Sequence, residues 1–111
     1  STFSTNKKLK NLQLPGNKLK VLSPKMFIYN QNLEVLYLQA NLISVIDKDM
    51  FKNNKNLTEL ILYRNEIRYI DPETFEGNLR LIRLSLYSNK LGERNKQELK
   101  ARYGGMEKLF V

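Results

Sequence analysis

Residues 33–43 decide the fold: they spell LEVLYLQANLI, and residues 57–67, LTELILYRNEI, repeat the pattern 24 positions later. Residues 9–19, LKNLQLPGNKL, and 81–91, LIRLSLYSNKL, keep the same spacing of Leu, Asn and Leu or Ile. A fixed period of this length indicates a repeat architecture, in which each unit buries the apolar face of its neighbour. The 111 residues are enough for one such domain.

The alternation within each unit predicts a short β-strand. Leu36 and Leu38 flank Tyr37, so both leucines point to one face of a strand and Tyr37 points to the other. One strand cannot bury its leucines alone, but strands stacked about 4.8 Å apart form a parallel sheet over a common core. We therefore expect about four or five parallel strands.

The second half of each unit carries further repeated positions. Phe27, Phe51 and Phe75 form one column, and we expect them to stack inside the core. Proline or aspartate opens this half, which favours irregular or short 3₁₀ segments over full helices. The whole unit is L-x-x-L-x-L-x-x-N-x-[LI]-x-x-[LI]-x-x-x-x-F-x-x-N-x-x.

This unit resembles the leucine-rich repeat, in its 24-residue "typical" subclass. The resemblance implies a curved right-handed solenoid of the α/β type, with a parallel sheet on the concave side and irregular or 3₁₀ structure on the convex side. A buried amide can pair backbone donors and acceptors where the chain leaves a strand. We therefore assign a structural asparagine ladder, not a binding role, to Asn17, Asn41, Asn65 and Asn89.

The spacing predicts one domain over residues 1–111. Its expected parts are 1–8 as the end of a truncated repeat or an N-terminal cap, 9–32, 33–56 and 57–80 as full repeats, 81–92 as a partial fourth repeat, and 93–111 as a C-terminal cap. Phe3 and Asn6 keep the 24-residue period with Phe27 and Asn30, which favours a fragment of a longer array over a cap.

The C-terminal cap is expected to hold a helix and a strand. Asn95 followed by Glu98 predicts a helix N-cap, with the helix over 96–103 and a stop at Gly104. Residues 109–111 predict a short apolar strand. The segment resembles the helix-plus-strand caps of cysteine-free repeat arrays.

The outward strand positions lie on the concave side of the implied solenoid, and we call this surface the concave face. The resemblance implies that this face binds a partner. Its expected partner-binding residues are Tyr37, Ile61, Tyr63, Tyr87, Val35, Gln39, Glu59 and Arg83. Asn11, Gln13, Pro15 and Ser85 complete the outward positions, and Arg64 and Ile82 flank them. Neighbouring strands are expected to pair Tyr63 with Tyr87, Tyr37 with Ile61, and Glu59 with Arg83.

Tyrosine offers a large contact area at a small cost in conformational entropy, so this face predicts a protein or peptide ligand. The alternative is that the tyrosines only pair with each other across the strands. A third interpretation is an inert scaffold within a larger protein, since one fold serves many functions.

Charge offers another alternative. Lysine plus arginine exceeds aspartate plus glutamate by 8, and the sequence before Glu34 holds the lysines Lys7, Lys8, Lys10, Lys18, Lys20 and Lys25. Clustered lysines attract polyanions such as nucleic acids. The chain has no nucleic-acid-binding motif, which favours a solvated basic surface.

Composition excludes several chemistries. The chain has no cysteine, histidine or tryptophan, which removes disulfides, thiol nucleophiles, Cys/His zinc sites and histidine acid–base catalysis. It has no glycine-rich phosphate loop, so we expect neither an enzyme nor a cofactor nor a metal. Asn56-Leu57-Thr58 is an N-glycosylation sequon.

Three features of the sequence bear on the location of the protein. No apolar run reaches the ~20 residues of a membrane span. The phenylalanine-bearing unit favours secretion or the cell surface, whereas the lack of cysteine also fits a cytosolic or bacterial protein.

Overall fold

The computed structural model describes residues 7–111, a solenoid of stacked coils. Four coils each contribute one three-residue strand: β1 Asn11–Gln13, β3 Val35–Tyr37, β5 Glu59–Ile61 and β6 Arg83–Ser85. A fifth strand, β7 Lys108–Phe110, completes a parallel sheet in the order β1-β3-β5-β6-β7. The predicted solenoid with a parallel sheet is confirmed. The expectations for Phe3 and Asn6 lie outside the described residues.

The sheet keeps the 24-residue register. Leu12 pairs with Leu36, Leu36 with Leu60, and Leu60 with Leu84. The last step differs. Leu84 pairs with Leu109, and the segment that joins these two strands in the sequence contains the terminal helix. The register therefore places the inward leucines in one column.

The side opposite the sheet is mostly irregular. It holds a two-stranded parallel sheet of β2 Val21–Leu22 and β4 Val45–Ile46, and a 3₁₀ helix over Pro24–Phe27. The Ser23 hydroxyl caps this helix by accepting a hydrogen bond from the Lys25 backbone N–H at 3.3 Å. The corresponding segments of the next coils, 48–53 and 72–77, are turns.

The core lies between these two sides. Leu36, Leu60 and Leu84 are fully buried, and burial of each leucine stabilises the fold by about 1.5–3 kcal/mol. Phe27, Phe51 and Phe75 are buried in the same core. The rings of Phe51 and Phe75 stack with their centroids 6.0 Å apart.

The asparagine ladder joins successive coils. The Asn65 amide donates to the carbonyl oxygens of Leu38 and Leu62, both at 3.0 Å, and its Oδ1 accepts from the Ile43 N–H at 3.1 Å. Asn41 and Asn89 make the equivalent bonds. Each asparagine therefore satisfies backbone groups of its own coil and of the preceding one.

Asn17 differs from the rest of its column. Its side chain is exposed, and its amide donates to the Pro15 carbonyl at 3.0 Å. The ladder role of Asn17 therefore stays a prediction, whereas within residues 7–111 its side chain makes only this local bond.

A second column of amides lies near the phenylalanines. Asn54 donates to the carbonyls of Phe27 and Asn30, and Asn78 donates to those of Phe51 and Asn54, each at 3.0 Å. The two asparagines are buried. The interior of the solenoid thus holds two amide ladders.

The C-terminal helix, α1, runs over Glu93–Tyr103 and begins earlier than predicted. Gly92 is its N-cap, so the expected N-cap role of Asn95 was wrong. The Asn95 amide instead accepts from the Ile70 N–H at 2.9 Å and donates to the Ile70 carbonyl at 2.8 Å. Asn95 thereby pairs both the N–H and the carbonyl of Ile70. As the N-cap of α1, its side chain would instead have bonded the first turn of the helix.

Tyr103 fixes the other end of α1. Its hydroxyl donates to the Pro72 carbonyl and accepts from the Phe75 N–H at 3.2 Å, and its ring meets the edge of Phe75. Burial raises the pKa of the Tyr103 phenol, because desolvation disfavours the phenolate. Leu99, one turn earlier, is fully buried against the core.

Candidate functional site

The register of the sheet brings the predicted concave residues together. Tyr37 pairs with Ile61, and Glu59 pairs with both Val35 and Arg83. Three-residue strands in a continuous hydrogen-bonded sheet hold these side chains on a rigid support. The two expected pairs that lie within the strands are therefore adjacent.

Tyr63 and Tyr87 form the third expected pair. They follow β5 and β6 at equivalent positions, and their rings stack with centroids 4.9 Å apart and an interplanar angle of 11°. Tyr63 is half-buried and Tyr87 is 43% exposed. The pair thus leaves aromatic surface available to a ligand.

Tyr37 and Glu59 are joined by a hydrogen bond. The Tyr37 hydroxyl donates to Glu59 Oε2 at 2.9 Å. This bond raises the pKa of Tyr37, because a phenolate could not donate to the carboxylate, and the Arg83 charge opposes the shift. Glu59 is adjacent to Arg83 in register, yet the structure gives them no ion pair among the described residues.

Ile61 and Ser85 are more buried than an outward position predicts. Ile61 is 5% exposed and Ser85 is 2% exposed. Phe110 of β7 lies beside Ser85 in register, and both residues line the same pocket as Ile61. Ile61 therefore has little surface with which to contact a partner directly.

Phe110 is the residue that the sequence analysis missed. It is 44% exposed and lines a pocket of about 340 Å³ with Ile61, Tyr63, Arg83, Ser85 and Tyr87. A usable signal was present, since Lys108-Leu109-Phe110 repeats the outward-inward-outward pattern of Arg83-Leu84-Ser85. The terminal strand was predicted, but its contribution to this face was not.

The other predicted residues lie outside the lining of this pocket and differ in exposure. Val35 and Gln39 are half-buried, whereas Arg64 and Ile82 are exposed at the flank. The lysines of the basic segment, from Lys7 to Lys25, are all exposed. The sequon asparagine, Asn56, is half-buried: it donates to the Gln31 carbonyl at 3.0 Å and accepts from Arg80 at 3.1 Å.

Residues 7–111 contain no cluster of three or more side chains of the metal-binding types. Within the same range, no helix has the length and hydrophobicity needed to cross a bilayer.

Comparison with known proteins identifies the class to which this repeat belongs. The model of the leucine-rich repeat family matches residues 1–43 and 31–91. The chain belongs to the leucine-rich repeat family, and the predicted resemblance is confirmed. Its assignment to the 24-residue subclass stays a prediction. Proteins of this family are generally non-catalytic interaction modules.

Solved structures support the same fold. A leucine-rich repeat protein of Leptospira interrogans has a TM-score of 0.80 and 27% identity over 93% of this chain. A chain of the Toll–Spatzle complex from Drosophila has a TM-score of 0.72 and 36% identity over 75%. An internalin from Listeria monocytogenes, at 22% identity over 87% and a TM-score of 0.69, shows the fold alone.

The chain spans only part of these structures. It covers 25% of the Leptospira chain, 11% of the Drosophila chain and 27% of the Listeria chain. No curated protein matches the sequence.

Proposed function

We propose that this chain is a non-catalytic recognition module that binds a protein partner through its concave face. The observation that carries the proposal is the stacked Tyr63–Tyr87 pair beside Phe110. Exposed aromatic clusters on a rigid surface are typical of interface hot spots. Because the strands are already ordered, little backbone entropy is lost when a partner binds.

The family supports this proposal at a coarser level. Leucine-rich repeat proteins are typically interaction modules, and one structural neighbour is part of a complex between Toll and Spatzle. The concave face as the binding surface of this chain rests on the aromatic cluster alone.

The test compares two sets of tyrosine variants. Immobilised wild-type chain captures partners from native extract, and the partner is then titrated against Tyr37→Ala/Tyr63→Ala/Tyr87→Ala. The matched control is Tyr29→Ala/Tyr69→Ala, because Tyr29 and Tyr69 are each 55% exposed and lie outside the five-stranded sheet. Circular dichroism checks that both variants are folded.

The concave variant should lose at least tenfold in affinity, since one hot-spot residue contributes about 2 kcal/mol or more. The control variant should bind as the wild type does. Equal affinity of a folded concave variant and the wild type for every captured partner would overturn the proposal.

A second candidate is polyanion binding through the basic N-terminal segment. Six lysines precede the first acidic residue, and all of them are exposed. Such binding weakens steeply with salt because counterions are released from the polyanion. Retention on heparin that is the same at low and moderate salt would reject this candidate.

A further inference from the structure

Two cationic side chains lie next to each other at the C-terminal end of the concave face. Arg83 of β6 and Lys108 of β7 are register partners, and both are exposed. The ion pairs among the described residues are Lys90–Glu66, Lys96–Glu93 and Arg102–Glu76. Arg83 and Lys108 therefore have no carboxylate within 4.0 Å in this part of the chain.

The neighbouring carboxylate is engaged elsewhere. Glu59 lies on the other side of Arg83 in register, but its Oε2 accepts the Tyr37 hydroxyl at 2.9 Å. This hydrogen bond joins Glu59 to Tyr37 of β3, whereas no ion pair joins Glu59 to Arg83 within residues 7–111. The C-terminal end of the face consequently keeps a local excess of positive charge.

The same end holds the apolar pocket. Tyr63, Tyr87 and Phe110 supply its aromatic walls, and Arg83 forms part of its lining. Its volume of about 340 Å³ is at the lower end of the range for ligand pockets, which suits one large side chain better than a small molecule. A guanidinium at the rim of such a pocket can bind a carboxylate through two parallel hydrogen bonds.

We infer that this face binds an acidic peptide segment that inserts one apolar or aromatic side chain between Tyr87 and Phe110. Carboxylates on either side of that side chain contact Arg83 and Lys108. The inference rests on the proposed function and names the chemistry of the partner. The net charge of +8 adds long-range attraction for an acidic partner, which raises the association rate.

The experiment uses a phage-displayed library of random peptides as its probe. Selection is carried out in parallel on the wild-type chain, on Tyr87→Ala and on Arg83→Glu/Lys108→Glu. The charge control is Lys48→Glu/Lys52→Glu, which replaces two exposed lysines of the turn 48–53. It changes the net charge by the same amount as Arg83→Glu/Lys108→Glu. Thermal unfolding verifies that each variant is folded.

Peptides enriched on the wild type should carry Asp or Glu within a few positions of Phe, Trp, Tyr or Leu. The affinity of their synthetic forms should fall at least tenfold with Arg83→Glu/Lys108→Glu and at least fivefold with Tyr87→Ala. The Lys48→Glu/Lys52→Glu control should change it less than twofold at physiological salt, because remote charges are screened.

The outcomes separate this inference from the proposed function. Peptides that require Tyr87 but are basic or neutral, or that bind Arg83→Glu/Lys108→Glu as well as the wild type, overturn the inference and leave concave-face binding intact. An equal loss of peptide affinity in Arg83→Glu/Lys108→Glu and Lys48→Glu/Lys52→Glu also overturns the inference, since the effect would then come from net charge. If no peptide is enriched on the wild type over Tyr87→Ala, the inference fails, whereas the proposed function is decided by the affinity of captured protein partners for Tyr37→Ala/Tyr63→Ala/Tyr87→Ala.

Discussion

The inward and outward sides of the same strands differ in how strictly the 24-residue period fixes the amino acid. The inward position at the centre of the strands is leucine in β1, β3, β5, β6 and β7. The next outward position differs in every strand and is Gln13, Tyr37, Ile61, Ser85 and Phe110. Close packing constrains the inward side, whereas the outward side is free to differ and can carry specificity.

The largest effect is expected inside the solenoid, at the asparagine ladder. Asn65→Ala should lower the free energy of unfolding by about 3 kcal/mol, because two carbonyls and one N–H lose their partner and each such group costs about 1–3 kcal/mol. Urea denaturation followed by circular dichroism measures the change.

Asn17→Ala is the matched control for Asn65→Ala. Asn17 is exposed and its amide bonds the nearby Pro15 carbonyl, so its loss should cost less than about 1 kcal/mol. An equal decrease in the free energy of unfolding for the two variants would mean that the ladder contributes nothing beyond a local turn bond.

The second prediction extends the comparison to the helix. Asn95→Ala should cost about 2 kcal/mol, since it removes both bonds to the backbone of Ile70 at a buried site. The neighbouring exposed residue supplies the control, and Arg94→Ala should leave the unfolding midpoint unchanged. A midpoint for Asn95→Ala that equals that of Arg94→Ala would contradict the structural role of this amide.

The third prediction concerns Tyr103, whose ring is partly buried. Tyr103→Phe should cost about 1 kcal/mol at neutral pH, because the hydroxyl no longer bonds Pro72 and Phe75. The pKa of Tyr103 is raised in the folded state, so its stabilising contribution is complete below the unfolded pKa of about 10 and declines as the pH rises above it.

The stability difference between wild type and Tyr103→Phe should accordingly shrink above about pH 10. Thermal unfolding at a series of pH values tests this, with Tyr69→Phe, an exposed tyrosine, as the control. A constant difference across the alkaline range would contradict the burial argument.

The smallest effect is expected on the outward side. The Ser85 hydroxyl is buried and has no hydrogen-bond partner among residues 7–111, so Ser85→Ala should raise the free energy of unfolding by about 0.5–1 kcal/mol. Ser44→Ala, at an exposed position, should have no effect. A loss of stability in Ser85→Ala would show that this outward column is as constrained as the inward one.

The period in the sequence was sufficient for the fold. It placed Leu36, Leu60 and Leu84 in one buried column and put Tyr63 beside Tyr87, because a fixed period specifies both the face and the neighbour of every residue. The residues with left-handed backbone conformation were harder to predict from the sequence. Gly16, Ala40, Arg64 and Ser88 all have φ between 57° and 66°, but only Gly16 carries a sequence signal for that conformation.

The sequence was less informative where the repeat ends. Asn95 with Glu98 has the local pattern of a capping box, whereas the bonds that decide its role come from Ile70, 25 residues earlier. Phe110 was missed for a similar reason, since its place beside Ser85 depends on how α1 returns the chain to the sheet. Long-range pairing decides both cases. The local alternation of Lys108-Leu109-Phe110 indicates an outward Phe110, but it does not identify β6 as the neighbouring strand.

The asparagine ladder also bears on how arrays of this kind change length. Each of Asn41, Asn65 and Asn89 binds carbonyls 3 and 27 residues earlier, so every 24-residue unit carries the groups that complete the unit before it. An in-frame duplication of residues 33–56 would therefore preserve all of these bonds. Such a duplication would lengthen the array and add one new row of outward side chains, while the terminal helix stayed unaltered.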